Sequence, residues 1–142
     1  MIRKMEIENF MSLRNVSVDF RPLTIFVGPN GSGKSAIFKA LVTLAKLVNG
    51  APVRGFKTGE FVSEPGVTFD CLVWRGNSGL PIKFRVWFDD DGDEPGYTLE
   101  LAKGIEGWSV TREKIRTGQG WIEVDENHQF EHPTERGKSR VY

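Results

Sequence analysis

Gly28-Pro29-Asn30-Gly31-Ser32-Gly33-Lys34-Ser35 is the stretch that decides how this chain is read. It fits G-x-x-x-x-G-K-[ST] at every fixed position. Glycines let the backbone turn so that successive N–H groups share one concavity, a nest for anionic oxygens. A helix that follows adds its N-terminal dipole and the free N–H groups of its first turn, Ala36 among them. Lys34 can reach the β- and γ-phosphates of a nucleotide as a point charge, and the Ser35 hydroxyl can ligate Mg2+. A chance match in a chain this long is expected on the order of one time in a few hundred.

The motif requires a strand before it and a helix after it. Leu23-Thr24-Ile25-Phe26-Val27 is nearly continuously apolar, which predicts a strand buried on both faces. A helix is predicted over 34–48, where Ile37, Leu41, Leu44 and Val48 fall on one face. Asn49-Gly50 supplies its stop, and Pro52 discourages continuation.

Upstream, Met5-Glu6-Ile7-Glu8-Asn9-Phe10 and Val16-Ser17-Val18-Asp19-Phe20 alternate apolar and polar residues, as half-buried strands do. Downstream, 67–74, 80–88, 97–103, 108–115 and 121–124 are strand-like and separated by short Gly- and Asp-rich turns. Connections that short permit only antiparallel pairing, since parallel crossovers need about a dozen residues. The expected division is a nucleotide-binding core over 1–50, a linker over 51–66, an antiparallel β subdomain over 67–124 and a polar tail over 125–142.

Composition narrows the class. The 142 residues carry 19 Lys+Arg against 19 Asp+Glu, so no global charge draws the chain to nucleic acid. No apolar run approaches the about 20 residues a membrane helix needs. The first residues carry no long apolar stretch of the secretory type, which predicts a cytoplasmic protein with no membrane partner. Cys71 is the single cysteine, which excludes a disulfide framework.

Three further patterns read as structure. The acidic run after Phe88 resembles the end of a Walker B strand, but Arg85 interrupts the apolar run and Asp89-Asp90-Asp91-Gly92-Asp93-Glu94-Pro95-Gly96 has hairpin-turn composition. His128-Gln129-Phe130-Glu131-His132 matches H-x-x-E-H, yet Pro133 follows and the surroundings are polar, as in a solvated tail. Trp74, Trp87, Trp108 and Trp121 fall in strand-like runs and are read as core and sheet-face packing, not as a stacking platform.

The run Ile7-Glu8-Asn9-Phe10-Met11-Ser12-Leu13, leading into Pro22-Leu23-Thr24-Ile25-Phe26-Val27 and the glycine-rich loop, resembles the N-terminal lobe of ABC-type ATPases of the SMC, RecF and OLD kind, including prokaryotic AAA-type ATPases. The resemblance implies an α/β (mixed α+β) fold: a P-loop NTPase N-terminal lobe with a strand–P-loop–helix core and an antiparallel β-meander. It implies ATP and Mg2+ held by Asn30, Gly31, Ser32, Gly33, Lys34, Ser35 and Ala36, with Ser12 as a secondary contact and Ser35 as the metal ligand. Met11 stands where the family usually has Lys or Arg, so basic character there must come from elsewhere, Arg14 being the nearest source. The signature motif and Walker B strand are not visible in this sequence. Hydrolysis would then need a C-terminal lobe and a second head, as homodimer or partner chain, and would drive engagement with DNA or a partner protein in DNA maintenance, repair or defence. No catalytic residue is assigned within the chain. The alternative is a non-hydrolysing module that binds nucleotide for assembly or sensing. A kinase or GTPase is disfavoured, because hairpins replace the expected βα units.

Overall fold

The computed structural model describes residues 1–50, 69–104, 107–125 and 130–131. Alternating sequence becomes strand as expected: β1 (Ile2–Phe10) and β2 (Leu13–Asp19) form the first hairpin. After α1 (Lys34–Gly50) and the short α2 (Phe69–Leu72) come β3 (Ile82–Phe88), β4 (Tyr97–Gly104), β5 (Gly107–Thr117), β6 (Gly120–Asp125) and β7 (Phe130–Glu131). These make one antiparallel sheet of seven strands in the order β2-β1-β3-β4-β5-β6-β7. The first hairpin and the downstream meander are therefore continuous, joined where β1 pairs with β3.

One face of the sheet is apolar. Met5, Ile7, Phe84, Val86, Leu99 and Leu101 are fully or nearly fully buried there, and Ile37, Ala40 and Leu44 of α1 belong to the same core. The alanines at 36 and 40 let the helix backbone approach closely. Lys34 and Ser35 thereby become the first turn of a helix whose position is fixed by burial. The other face is a charged ladder of the kind antiparallel sheets present to water. Arg85 bridges Glu6 at 3.0 Å and Glu8 at 2.8 Å, while Lys4 meets Glu6 at 2.7 Å. The Lys4 ammonium, with Arg85 beside it, holds the Glu6 carboxyl below its ordinary range.

Two expectations differ from the structure. Residues 23–27 form no strand among the described residues, with Leu23 at a bend. Instead of being buried on both faces, Leu23, Ile25 and Val27 are 77%, 73% and 89% exposed. Phe26 turns the other way and packs edge-on against Phe38, ring centroids 5.6 Å apart. The physical reason is the lack of a neighbour: a buried strand needs ladders on both edges, and no described strand lies beside this segment. The second difference is in the strand expected over 67–74, of which 67 and 68 lie outside the described residues. Phe69–Leu72 is one helical turn and Trp74–Gly76 a 3₁₀ turn, because the i, i+3 pair Phe69 and Leu72 shares one buried face.

The acidic run is a hairpin turn between β3 and β4. Asp91 is buried, its Oδ2 accepting the Phe88 N–H at 2.7 Å and its Oδ1 lying 3.5 Å from Arg116 Nη1. Of the H-x-x-E-H pattern, His128 and His132 lie outside the described residues. Among the described residues, no helix is long and apolar enough to cross a membrane.

Candidate nucleotide-binding site

The glycine-rich loop runs from residues 23–27 into α1, and its glycines explain its shape. Gly31 has φ +82° and Gly33 φ +94°, left-handed values that residues with a Cβ rarely adopt. Ser32 N–H turns back to Pro29 O at 3.3 Å. Gly33 O then accepts Ala36 N–H at 3.0 Å and Ile37 N–H at 3.1 Å, which starts the helix. Ala36 N–H is thus engaged inside the protein. By contrast, no acceptor among the described residues meets the backbone N–H of Asn30, Gly31 or Ser35. The first turn of α1 contains no acidic side chain, so nothing offsets its positive dipole end.

Lys34 curls back over its own loop. Its Nζ donates to Gly28 O and Pro29 O, each at 2.6 Å, and to Ser32 Oγ at 3.2 Å. Two neutral carbonyls and a hydroxyl solvate the ammonium without cancelling its charge. Ser35 is exposed.

Ser12 and Leu13 reach this loop from the β1–β2 turn. A Cβ placed on Gly33 would stand 3.6 Å from Ser12 Oγ and 3.1 Å from Leu13 Cδ2. The structure therefore brings Ser12 beside the residues 30–36 named from the motif. Met11 packs against the hydrophobic core, and Arg14 lies over the Trp74 ring with Cζ 5.2 Å from its centroid.

Sequence reasoning passed over what fixes that turn. Met11 N–H donates to Leu72 O at 2.7 Å, and Phe10 bridges to Val73. Asn9, buried and at φ 57°, donates from Nδ2 to Leu80 O at 2.8 Å and Asn77 O at 3.2 Å. The one available signal was an asparagine ending a strand, a residue type enriched in the left-handed region.

Residues 1–134 match the AAA ATPase domain family, and the chain belongs to that family. Over 41 residues it is 39% identical to an OLD nuclease of Thermus scotoductus, a stretch of 29% of this chain and 8% of that protein. It is 49% identical over 41 residues to the DNA double-strand break repair Rad50 ATPase of Methanococcus maripaludis, covering 28% of this chain and 4% of that one. The matched part is thus a small share of those relatives' length. A solved structure from work on ATP-driven dimerization and DNA-stimulated activation of SMC ATPases aligns with TM-score 0.49 at 18% identity, over 92% of this chain and 72% of the other. The chain is thus an AAA ATPase domain with short stretches of likeness to an OLD nuclease and a Rad50 ATPase.

Proposed function

We propose that this chain binds ATP with Mg2+ through Asn30, Gly31, Ser32, Gly33, Lys34 and Ser35, with Ser12 as a secondary contact; Ala36, its N–H held by Gly33 O, would not serve as a donor. The observation that carries this reading is the pair of left-handed glycines, Gly31 and Gly33, set directly ahead of the dipole end of α1. That arrangement leaves backbone donors at Asn30, Gly31 and Ser35 for phosphate oxygens. Lys34 would exchange the carbonyls of Gly28 and Pro29 for anionic oxygens, trading neutral acceptors for a charge-assisted pairing. The Ser35 hydroxyl would be this chain's ligand to Mg2+, and that ion supplies neutralisation of charge on the β- and γ-phosphates.

The reading extends to an ABC-type head in which the signature motif and Walker B residues come from a C-terminal lobe and a second head. The exposed Leu23, Ile25 and Val27 support it, since three large aliphatics left in water beside the loop suit a further element laid over them. A role in DNA maintenance, repair or defence draws support from the local likeness to the Rad50 ATPase and the OLD nuclease.

Equilibrium binding of Mg-ATP tests the first part. Lys34→Ala is expected to weaken binding by tenfold or more, since hydrogen bonds from charged groups contribute about 1.5–3 kcal/mol. Equal affinity in the variant, or no binding by the unmodified chain, overturns it. Steady turnover by the chain alone, abolished by Lys34→Ala, overturns the second part.

A further inference from the structure

The phosphate loop accounts for one end of a nucleotide. Beside it lies a cluster with no role in the fold's core. Trp74 is half-buried, and two guanidinium groups stack on its ring: Arg75 with Cζ 4.8 Å from the centroid and Arg14 with Cζ 5.2 Å. Both arginines are exposed, and neither has a carboxylate partner among the described residues. Elsewhere on the surface Arg85, Arg112 and Arg116 are each paired with Asp or Glu, while Arg3 and Arg21 also lack a carboxylate partner among the described residues but face no aromatic ring there.

The cluster is held by a clasped backbone. Among the described residues, the non-glycine positions with positive φ are Asn9, Met11 and Arg75, and all three lie at this corner. The Asn9 side chain fastens Asn77 and Leu80, the Met11 N–H fastens Leu72, and Phe10 bridges to Val73. Trp74 and Arg75 follow directly on those fastened residues. On the other side of the same turn, Ser12 and Leu13 abut Gly33 of the phosphate loop. The path from loop to indole is thus a few residues with backbone bonds between them, each residue spanning about 3.5 Å. Unfavourable backbone conformations gathered at one place, and kept there by buried hydrogen bonds, are a mark of functional sites.

We infer that the Arg14–Trp74–Arg75 stack receives the base of the nucleotide whose phosphates lie in the loop formed by residues 28–35. Guanidinium planes and indole rings are both surfaces on which bases stack, and an unpaired guanidinium adds favourable charge close to the phosphates. The inference rests on the nucleotide-binding reading above and names what recognises the nucleotide's other end.

The test compares ATP with inorganic tripolyphosphate, which shares the phosphate chain and lacks base and sugar. Affinities for both are measured on the full chain, unmodified and carrying Trp74→Leu or Trp74→Phe. The ratio of ATP to tripolyphosphate affinity is expected to fall about tenfold in Trp74→Leu, as for loss of one stacked base, and to be largely kept in Trp74→Phe. An unchanged ratio in Trp74→Leu overturns the inference. If Trp74→Leu fails to fold, the unmodified chain still decides: ATP should quench tryptophan emission beyond the effect of tripolyphosphate, and equal quenching overturns the inference. An unmodified chain that binds neither ligand instead overturns the phosphate-loop reading itself, and this inference with it.

Discussion

Gly33 of the phosphate loop packs on Leu13, the first residue of β2, so closely that a Cβ at position 33 would stand 3.1 Å from Leu13 Cδ2. The same glycine has φ +94°. Gly33→Ala therefore combines a backbone penalty of about 1–3 kcal/mol with a tight contact that the Leu13 side chain must relieve by shifting a few tenths of an ångström. Nucleotide affinity, measured by calorimetry, is expected to drop tenfold or more, while the far-UV circular dichroism of the sheet is retained.

Asn9 ties β1 to the segment carrying Trp74. Asn9→Gly keeps the left-handed backbone without strain and removes the side-chain donor, leaving Asn77 O and Leu80 O without it. The expected loss is roughly 1–3 kcal/mol in urea denaturation. Unchanged stability would show that water replaces the amide at no cost.

Tyr97 gives the fold an alkaline limit. Burial, with the Glu113 carboxylate accepting its hydroxyl at 2.6 Å, pushes the Tyr97 pKa well above the ordinary tyrosine value. The neutral form is the one the folded state favours. Its stabilisation is complete below the unfolded tyrosine pKa, about 10, and is lost progressively as pH rises beyond it. Tyr97→Phe should cost about 1 kcal/mol at pH 7 and narrow its deficit against the unmodified chain near pH 11. Urea midpoints at the two pH values read this directly.

Gly96 closes the hairpin over Asp91, and a Cβ there would overlap the Asp91 carboxylate. Gly96→Ala should dislodge that carboxylate from the Phe88 N–H and lower the melting temperature. A melting temperature equal to that of the unmodified chain would mean that the turn rebuilds freely.

The sequence was most legible where signals are local. The glycine-rich loop announces left-handed backbone and a helix start, and both occur at Gly31, Gly33 and Lys34. Alternation and turn composition placed β3 to β6 within a few residues, because each strand pairs with a neighbour only a short turn away. Residues 23–27 were harder: a continuous apolar run states a preference for burial, but only a neighbouring strand can satisfy it. The Trp74 cluster was invisible for a different reason. Trp74 reads as packing by itself, and its meaning comes from Arg14, which sequence separation hides and the clasp at Asn9 restores.

The row of Leu23, Ile25 and Val27 has a consequence for energetics as well as for packing. Val27 leads straight into Gly28, so this row is one anchor of the phosphate loop and α1 is the other. Helix α1 contributes Ile37, Ala40 and Leu44 to the described core, whereas the segment carrying the row meets it through Phe26. A strand laid along the row would order the approach to the loop before any ligand arrives, and ordering a residue's backbone costs about 1–2 kcal/mol. Nucleotide would then bind more tightly to the covered form. Linkage makes the effect mutual: whatever factor the covering strand adds to nucleotide affinity, nucleotide returns to the strand. On the proposed reading, strand docking and ATP binding would be positively cooperative events.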